Sequence, residues 1–156
     1  MEQLNDSSRR FVLDIFKSVK DMTLATVRPD GYPQATAVSY ANDGLTLYIG
    51  IGLDGQKAHN IRYSNKVSLT VTPAYQDWNH IKGLSIGGIA EFVNAPDETR
   101  RASECMLKRF PQISTLPSGS TSLPWAGVVF VRISPQVISV LDYEKGFGHT
   151  ELFSVT

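Results

Sequence analysis

The chain has 156 residues, of which 15 are basic and 15 acidic, and its hydrophobic fraction of 42% is typical of a globular domain. The balanced charge argues against nucleic acid or an anionic membrane as the main partner, and the single cysteine, Cys105, excludes a disulfide framework and a cysteine zinc site. Since no apolar run is long enough to span a membrane and the first residues lack a signal-peptide pattern, we expect a single cytoplasmic domain over residues 1–156.

The amino-terminal third predicts one helix followed by hairpins. Hydrophobic residues at helical spacing after Ser7 and Ser8, either of which could cap it, predict a helix over residues 7–20. The hydrophobic period then changes to two, which predicts strands over residues 22–27, 34–40 and 45–51. The short segments between them are rich in Pro, Asn, Asp and Gly, which favour tight turns. Strands joined in this way are expected to be antiparallel neighbours.

The rest of the chain continues the same mixture of strands and short helices. We predict helices over residues 54–64 and 96–110, a loop over 111–124, and further strands over 67–72, 82–93, 128–133, 137–141 and 152–155. Gly83, Gly87 and Gly88 interrupt the longest of these strands and suggest a bulge or a close backbone approach. These strands, joined mostly by hairpins, predict a mainly β fold, a β-barrel with short helices, because closure protects strand edges.

Residues 50–55 match the dinucleotide-binding pattern G-x-G-x-x-G, in which bare backbone lets a phosphate reach the amides at a helix start. A Rossmann unit needs parallel strands with helical crossovers, whereas this segment follows the third strand of a hairpin series. The segment is therefore interpreted either as a flexible loop or as a loop that holds a phosphate on a different fold.

A second pattern, G-x-S-x-G around Ser85, is that of a nucleophile elbow. An elbow requires a helix directly after the serine, and here the strand pattern continues. An acyl hydrolase that uses Ser85 is kept as an alternative. His59, His80 and His149 are scattered without the spacing of a metal site, so no metal is expected.

Lys57 lies in the first turn of the helix predicted after the glycine-rich loop. A cation at a helix start opposes the helix dipole, so helix stabilisation does not explain it, whereas an anionic ligand would. The ammonium group of Lys57 and the backbone amide of Gln56 could both donate to such a ligand, with Asn60 about one turn further along. A solvated surface lysine is the alternative interpretation.

Several segments occur in an order that resembles one known family. They include a strand and turn that begin Leu-Ala-Thr-Val-Arg-Pro-Asp-Gly and a helix start Gln-Lys-Ala-His-Asn-Ile, and they cover residues 24–33, 47–50, 56–61, 65–69, 78–81 and 88–91. This series is similar to that of the FMN-binding split barrels, the pyridoxamine-phosphate oxidase-like flavoproteins. The resemblance implies a six-stranded antiparallel split barrel, a homodimer, and two FMN sites at the subunit interface.

The resemblance also implies which residues hold the cofactor. By position, Lys57 is similar to the phosphate-binding lysine of the family, with Gln56 where the oxidases often carry Arg. The strand that runs under the flavin ring in the family corresponds to the segment with Thr36, Val38 and Ser39. Backbone that faces the ring or the ribityl chain corresponds to Ile49 and Gly50, and the region contributed by the other subunit corresponds to Trp78 and Lys82.

Two departures from the oxidases concern the substrate. Gly83-Leu84 stands where they carry an Arg–Gln pair, and residues 142–150 lack their terminal Arg-x-His element. Pyridoxamine phosphate is therefore not expected as the substrate. The segment from Lys145 to His149 could form a lid or flank the cofactor.

The resemblance favours an FMN-dependent oxidoreductase that transfers hydride or electrons between the flavin and a small molecule or a donor such as NAD(P)H. In such a protein the flavin supplies the chemistry, and the chain supplies position and electrostatics. Two alternatives keep the fold. One is a protein that binds a deazaflavin or haem, and the other is a flavin-binding protein without catalysis.

Overall fold

Nine strands and three α-helices make up the computed structural model, which describes residues 1–115 and 123–155. The strands are β1 (Glu2–Gln3), β2 (Asp21–Val27), β3 (Pro33–Ser39), β4 (Ala41–Asp43), β5 (Thr46–Gly52), β6 (Lys66–Val71), β7 (Lys82–Phe92), β8 (Val128–Asp142) and β9 (Thr150–Ser154). The helices are α1 (Asp6–Ser18), α2 (Gln56–Tyr63) and α3 (Pro96–Arg109). Half of the predicted 111–124 loop, residues 116–122, lies outside the described residues. No described helix combines the length and apolar character needed to cross a membrane.

The strands form one mixed sheet. Its hydrogen-bonded order is β3-β2-β6-β7-β8, and both β5 and β9 pair with the far edge of β8. The only parallel pair among the described strands joins β1 to β9, so the sheet is neither six-stranded nor wholly antiparallel as predicted. The strands missed by the prediction, β1 and β4, have two and three residues, which is too short for a period-two pattern. The six longest strands pair with one another only in antiparallel fashion.

The sequence predicted two strands where the structure has one, β8. Pro135 was expected to separate them, since proline cannot donate a ladder hydrogen bond. In the structure Pro135 lies opposite Gly88, where the register between β7 and β8 shifts, so a bulge absorbs the proline. The strand therefore continues, and it pairs with β5 through residues 128–133 and with β9 through residues 137–141.

Two hydrophobic clusters hold the elements together. The larger lies under α1 and contains the inward side chains of the long strands, including Leu24, Ile49, Leu69, Ile86 and Ile133. The smaller lies between α3 and the opposite face of β5 and β8, where Tyr48 and Phe130 pack on Ala102 and Met106. The sheet is therefore covered on both faces near β5, and this is why Tyr48 is buried although it alternates with Leu47 and Ile49.

The carboxyl-terminal end of α1 is held by two side chains from distant parts of the chain. The guanidinium of Arg109 donates to the carbonyl oxygens of Phe16 and Val19, at 2.6 Å each, and the hydroxyl of Tyr40 donates to the same two oxygens. At the other end of α1 the N-cap is Asn5, whose Oδ1 accepts from the Ser8 amide at 2.9 Å. The two serines predicted for that role therefore do not cap the helix.

Gly88 should not tolerate a side chain, because a Cβ there would lie 3.0 Å from both the Ser134 carbonyl oxygen and the Ile133 Cγ2 atom. We expect Gly88→Ala to lower the free energy of unfolding by about 1–3 kcal/mol, measured by urea denaturation. Gly87→Ala is the matched control, since a Cβ at Gly87 meets nothing within 4 Å. Equal losses in the two variants would contradict the packing argument.

Stability at alkaline pH should depend on Tyr40. Burial raises the pKa of its hydroxyl from 10.0 to about 12, so the folded state disfavours the phenolate. This contribution to stability is complete below pH 10 and is lost as the pH rises toward 12, at a slope of up to about 1.4 kcal/mol per pH unit. Urea denaturation at several pH values should show a shallower alkaline loss for Tyr40→Phe than for the unchanged chain. Parallel curves would exclude Tyr40 as the titrating group.

Candidate functional site

A cavity of about 390 Å³ opens beside Lys57. Its wall on one side comes from residues 37–39 of β3 and residues 50–52 of β5. The facing wall is apolar and comes from α3, the segment after it and the start of β8: Met106, Ile113, Leu123, Pro124, Trp125, Val128 and Phe130. Among the described lining residues Lys57 is the only one that carries a charge.

The cavity lies between two strand edges that do not pair. β3 pairs with β2 alone, and β5 pairs with β4 only as far as Tyr48, so residues 49–52 have β8 as their sole partner among the described strands. Backbone N–H and C=O groups on such edges need hydrogen-bond partners, and a bound molecule with polar edges can supply them. The gap is therefore suited to a flat ligand with donors and acceptors along its rim.

Gly50 keeps this gap open on the β5 side, because it has no side chain. A Cβ at Gly50 would lie 3.4 Å from Val128 Cγ1 and 3.8 Å from the Phe130 ring, so a larger residue would occupy space along the cavity wall. Ile49, the other β5 residue of the prediction, is fully buried with its side chain in the larger core. Ile49 does not belong to the described lining, and its backbone N–H and C=O groups face β8, because these groups alternate in direction along a strand and those of Gly50 face the gap.

Lys57 lies at the start of α2, where the helix has no capping side chain. The N-cap is Gly55, and no acidic residue stands in the first turn. The first amides of any α-helix have no partner within the helix, so those of Gln56 and Lys57 can donate outward. The half-buried Lys57 ammonium donates to the Thr36 hydroxyl on β3 at 3.2 Å, which holds it at the cavity. This arrangement can bind an anion.

Asn60 joins α2 to the sheet through a buried hydrogen-bond network. It is fully buried, and its Nδ2 donates to Thr26 Oγ1 at 2.9 Å and to Gln34 Oε1 at 3.0 Å. Its Oδ1 accepts from Gln56 Nε2 at 2.8 Å. Both polar atoms of the Asn60 side chain are thus bonded within the protein. Asn60 can therefore influence a ligand at the cavity only by positioning Gln56 and the first turn of α2.

The remaining β3 candidates have different surroundings. Val38 is half-buried and packs against the larger core, while the exposed Ser39 donates its hydroxyl proton to Asp21 Oδ1 at 2.7 Å. Both line the cavity, as does Ala37, which the sequence prediction omitted. Thr36 reaches the site through Lys57 and does not belong to the described lining.

Trp78 and Lys82 lie in a separate part of the chain. Trp78 is 65% exposed and stacks on Phe147, with ring centroids 6.2 Å apart, and Tyr143 packs edge-on against Phe147. Lys82 pairs with Glu144 at 3.3 Å. Neither Trp78 nor Lys82 belongs to the described lining of the cavity beside Lys57. The predicted 145–149 segment therefore contacts Trp78 through Phe147. The three aromatic rings form one surface, which we call the aromatic patch: Trp78, Tyr143 and Phe147.

The structure contradicts the elbow hypothesis for Ser85. This residue lies in the middle of β7, between Thr70 of β6 and Ser139 of β8, and no helix follows it. The hydrolase alternative was wrong because both glycines of the pattern, Gly83 and Gly87, lie within the continuous strand β7. The histidines are also apart: His80 contacts Asp77 at 2.7 Å and His149 contacts Glu151 at 3.3 Å. The described residues contain no group of three or more metal-ligating side chains.

The apolar wall opposite β3 was not predicted from the sequence. Met106 could have been proposed as a core residue from the spacing of α3, but nothing in the sequence indicates that it meets β5 rather than another strand. Trp125 follows a segment of low hydrophobicity, and its indole nitrogen is buried without a partner among the described residues. A tryptophan next to Pro124 in a loop is the one signal that could have drawn attention to this wall.

Known proteins share this fold. The sequence model of the pyridoxamine 5'-phosphate oxidase family matches residues 10–140. A conserved hypothetical protein from Mycobacterium tuberculosis is 25% identical over 97% of this chain and 96% of its own, with a TM-score of 0.74. HutZ, the haem storage protein from Vibrio cholerae, is 17% identical over 86% of this chain and 91% of its own, with a TM-score of 0.68. A protein from Listeria innocua assigned as a pyridoxamine 5'-phosphate oxidase is 22% identical over 86% of this chain and 98% of its own, with a TM-score of 0.67. Among curated protein sequences no match is found.

Asn60→Ala should weaken both the fold and the site. The change leaves Thr26, Gln34 and Gln56 without their buried partner, which should lower the free energy of unfolding by about 2–3 kcal/mol in urea denaturation. Asn65→Ala is the matched control, because Asn65 is exposed and should change stability by less than about 0.5 kcal/mol. A stability for Asn60→Ala equal to that of the control would contradict the proposed network.

Proposed function

The chain belongs to the pyridoxamine 5'-phosphate oxidase family, and on that premise we propose that it binds FMN in the cavity beside Lys57 and acts as an FMN-dependent oxidoreductase. The observation that carries the proposal is the combination at one place of a lone cation, an uncapped helix start and an apolar cavity between two unpaired strand edges. These features match the three parts of FMN: a phosphate, a polar-edged ring and its apolar faces.

The phosphate of FMN would lie at the start of α2. Lys57 would supply the charge, and the amides of Gln56 and Lys57 would supply hydrogen bonds along the helix dipole. The side chain of Gln56 is exposed and already donates to Asn60, so Gln56 contributes mainly through its amide. Thr36 would hold the ammonium group in place when no anion competes for it.

The ring of FMN would lie in the gap between β3 and β5. Ala37, Val38 and Ser39 would contact one side, and the backbone of Gly50 would offer hydrogen bonds along the unpaired edge. Met106 and Trp125 would face the ring from the other wall and keep water out. In such a site the protein positions the ring and sets the polarity around it.

The chemistry would come from the cofactor, which when bound would accept and return pairs of electrons. Lys57 is the only charged side chain in the described lining of this cavity. That lining therefore offers no carboxylate or imidazole that could act as a general base. The side chains of this cavity would therefore bind, orient and dehydrate. A small molecule, or a donor such as NAD(P)H, would approach the face of the ring that the chain leaves open.

We propose that the protein is a homodimer whose six longest strands form the split barrel of one FMN-binding domain. The aromatic patch is strongly exposed, with Trp78 at 65% and Phe147 at 71%, which is costly for two large adjacent rings in water. A second copy would bury this patch. That arrangement would also bring Trp78 and Lys82 to the partner's cavity, since they do not belong to the described lining of the cavity in their own chain.

Haem is the second candidate, because proteins that share the fold include the haem storage protein HutZ. An axial haem ligand is usually a histidine, cysteine, methionine or tyrosine side chain. Of these types the described lining of the cavity holds Met106 alone, and that side chain is 8% exposed in the smaller core. The cavity therefore favours a flavin over haem.

Lys57→Ala should weaken FMN binding. Loss of one charge-assisted contact to the phosphate is worth about 1.5–3 kcal/mol, which corresponds to about a 10- to 150-fold rise in Kd. The measurement is the quenching of flavin fluorescence when FMN is titrated with protein, and Lys66→Ala, which removes an exposed lysine on β6, is the matched control. Riboflavin, which lacks the phosphate, should bind the unchanged chain and Lys57→Ala about equally.

The same titration distinguishes the alternatives. Tight binding of a deazaflavin or haem with no binding of FMN would reject the cofactor assignment. FMN binding that Lys57→Ala leaves unchanged would reject the phosphate site. Bound FMN that no NADH, NADPH or artificial acceptor can reduce or oxidise would favour a binding protein over an oxidoreductase.

A further inference from the structure

A second cavity, of about 630 Å³, lies where the carboxyl-terminal ends of α1 and α3 approach each other. Its described lining is distinct from that of the cavity beside Lys57, although α3 contributes to both. Four basic side chains line it, Lys17, Lys20, Lys108 and Arg109, against one carboxylate, Asp43. We call this second cavity the basic cleft.

Arg109 has a structural task that the three lysines do not share. Its guanidinium donates at 2.6 Å to two carbonyl oxygens at the end of α1 and lies over the ring of Tyr40, 4.7 Å from its centroid. It therefore already supplies the cation that favours the carboxyl-terminal end of α1. Of the three lysines, Lys20 lies over the Phe110 ring, 6.0 Å from its centroid, so the two that most need another explanation are Lys17 and Lys108.

Lys17, Lys20 and Lys108 are exposed, and in the described part of the chain none of them forms an ion pair. Each helix end carries about half a negative charge. Together with the Asp43 carboxylate, the two ends balance about two of the four cations and leave about two positive charges in excess. The whole chain has no net charge, so this excess is local. Like charges around one cleft repel, and a bound anion would relieve the repulsion.

We propose that the basic cleft binds a small organic phosphate, a phosphate monoester in its dianionic form. Such a group carries a charge of about −1.5 to −2 at pH 7, which matches the local excess. Lys17 and Lys108, from opposite sides of the cleft, would donate to its oxygens, and Lys20 would add charge from the rim. The apolar side chains of Leu13 and Ala41 in the lining would contact the body of the ester. This site is independent of FMN.

Phenyl phosphate is a suitable probe, because it joins a dianion to an apolar ring. Since the cavity beside Lys57 can also bind a phosphate, the titration uses the full chain with Lys57→Ala, which removes the cation of that cavity. Isothermal titration calorimetry of this variant at low ionic strength and pH 7.5 should show saturable binding of one phenyl phosphate per chain. The affinity should fall when the pH is lowered to 5, since the second pKa of a phosphate is about 6 and the dianion disappears. Benzoate, a monoanion of similar shape, should bind more weakly.

The double variant Lys17→Gln/Lys108→Gln should raise the Kd for phenyl phosphate by about ten-fold or more. The matched control Lys66→Gln/Arg100→Gln removes the same charge from exposed positions outside the basic cleft and should change the Kd less than two-fold. Lys17→Arg/Lys108→Arg should restore binding. Absence of saturable binding in Lys57→Ala, or an equal loss in the control, would overturn the proposal; binding by the unchanged chain alone would assign the phosphate to the other cavity.

Discussion

The gap between β3 and the second half of β5 is the constraint on which the candidate site depends. The described ladders give β2, β6, β7 and β8 a partner strand on both sides, yet here two edges lie on either side of a cavity with no strand between them. Unpaired edges are usually costly or prone to aggregation, and proteins cover them or give them a partner. A flat ligand that hydrogen-bonds along its rim would satisfy the edges and fill the space at once. The opening in the sheet is thus the feature from which the proposed ligand follows.

The position of α2 makes the two ends of this gap different, because it places a cation at one of them. The buried Asn60 network fixes the helix against β2 and β3, so the first turn of α2 and Lys57 stand at one end of the gap. A buried polar network stabilises a fold only when its members are satisfied, and both polar atoms of the Asn60 side chain are hydrogen-bonded, Nδ2 to Thr26 and Gln34 and Oδ1 to Gln56. Stability and ligand geometry are therefore coupled: whatever loosens the network also moves the cation.

Local patterns predicted most elements of the fold and one end of the site. Helices α1 and α3 and the long strands begin and end within a few residues of the predicted bounds, because hydrophobic period and turn residues act locally. Lys57 could be singled out because a lysine in the first turn of a helix is unfavourable without a ligand. The pairing of β8 with β5, and the contact of Met106 and Trp125 with the cavity, could not be predicted, since they depend on elements that are about 50 to 80 residues apart. Pro135 misled for a related reason: only the position of Gly88 on the neighbouring strand makes the proline acceptable.

Helix α3 separates two environments of opposite character. Met106 packs toward the apolar cavity, whereas Lys108 and Arg109 line the basic cleft. Charges on the cleft side are exposed and screened by solvent, so over a distance of about 10 Å they have little effect at physiological ionic strength. In the apolar cavity a single cation faces little competing charge and is screened less. The two proposed anion sites would therefore differ in strength, because α3 keeps the weakly screened cation of one apart from the clustered, hydrated cations of the other.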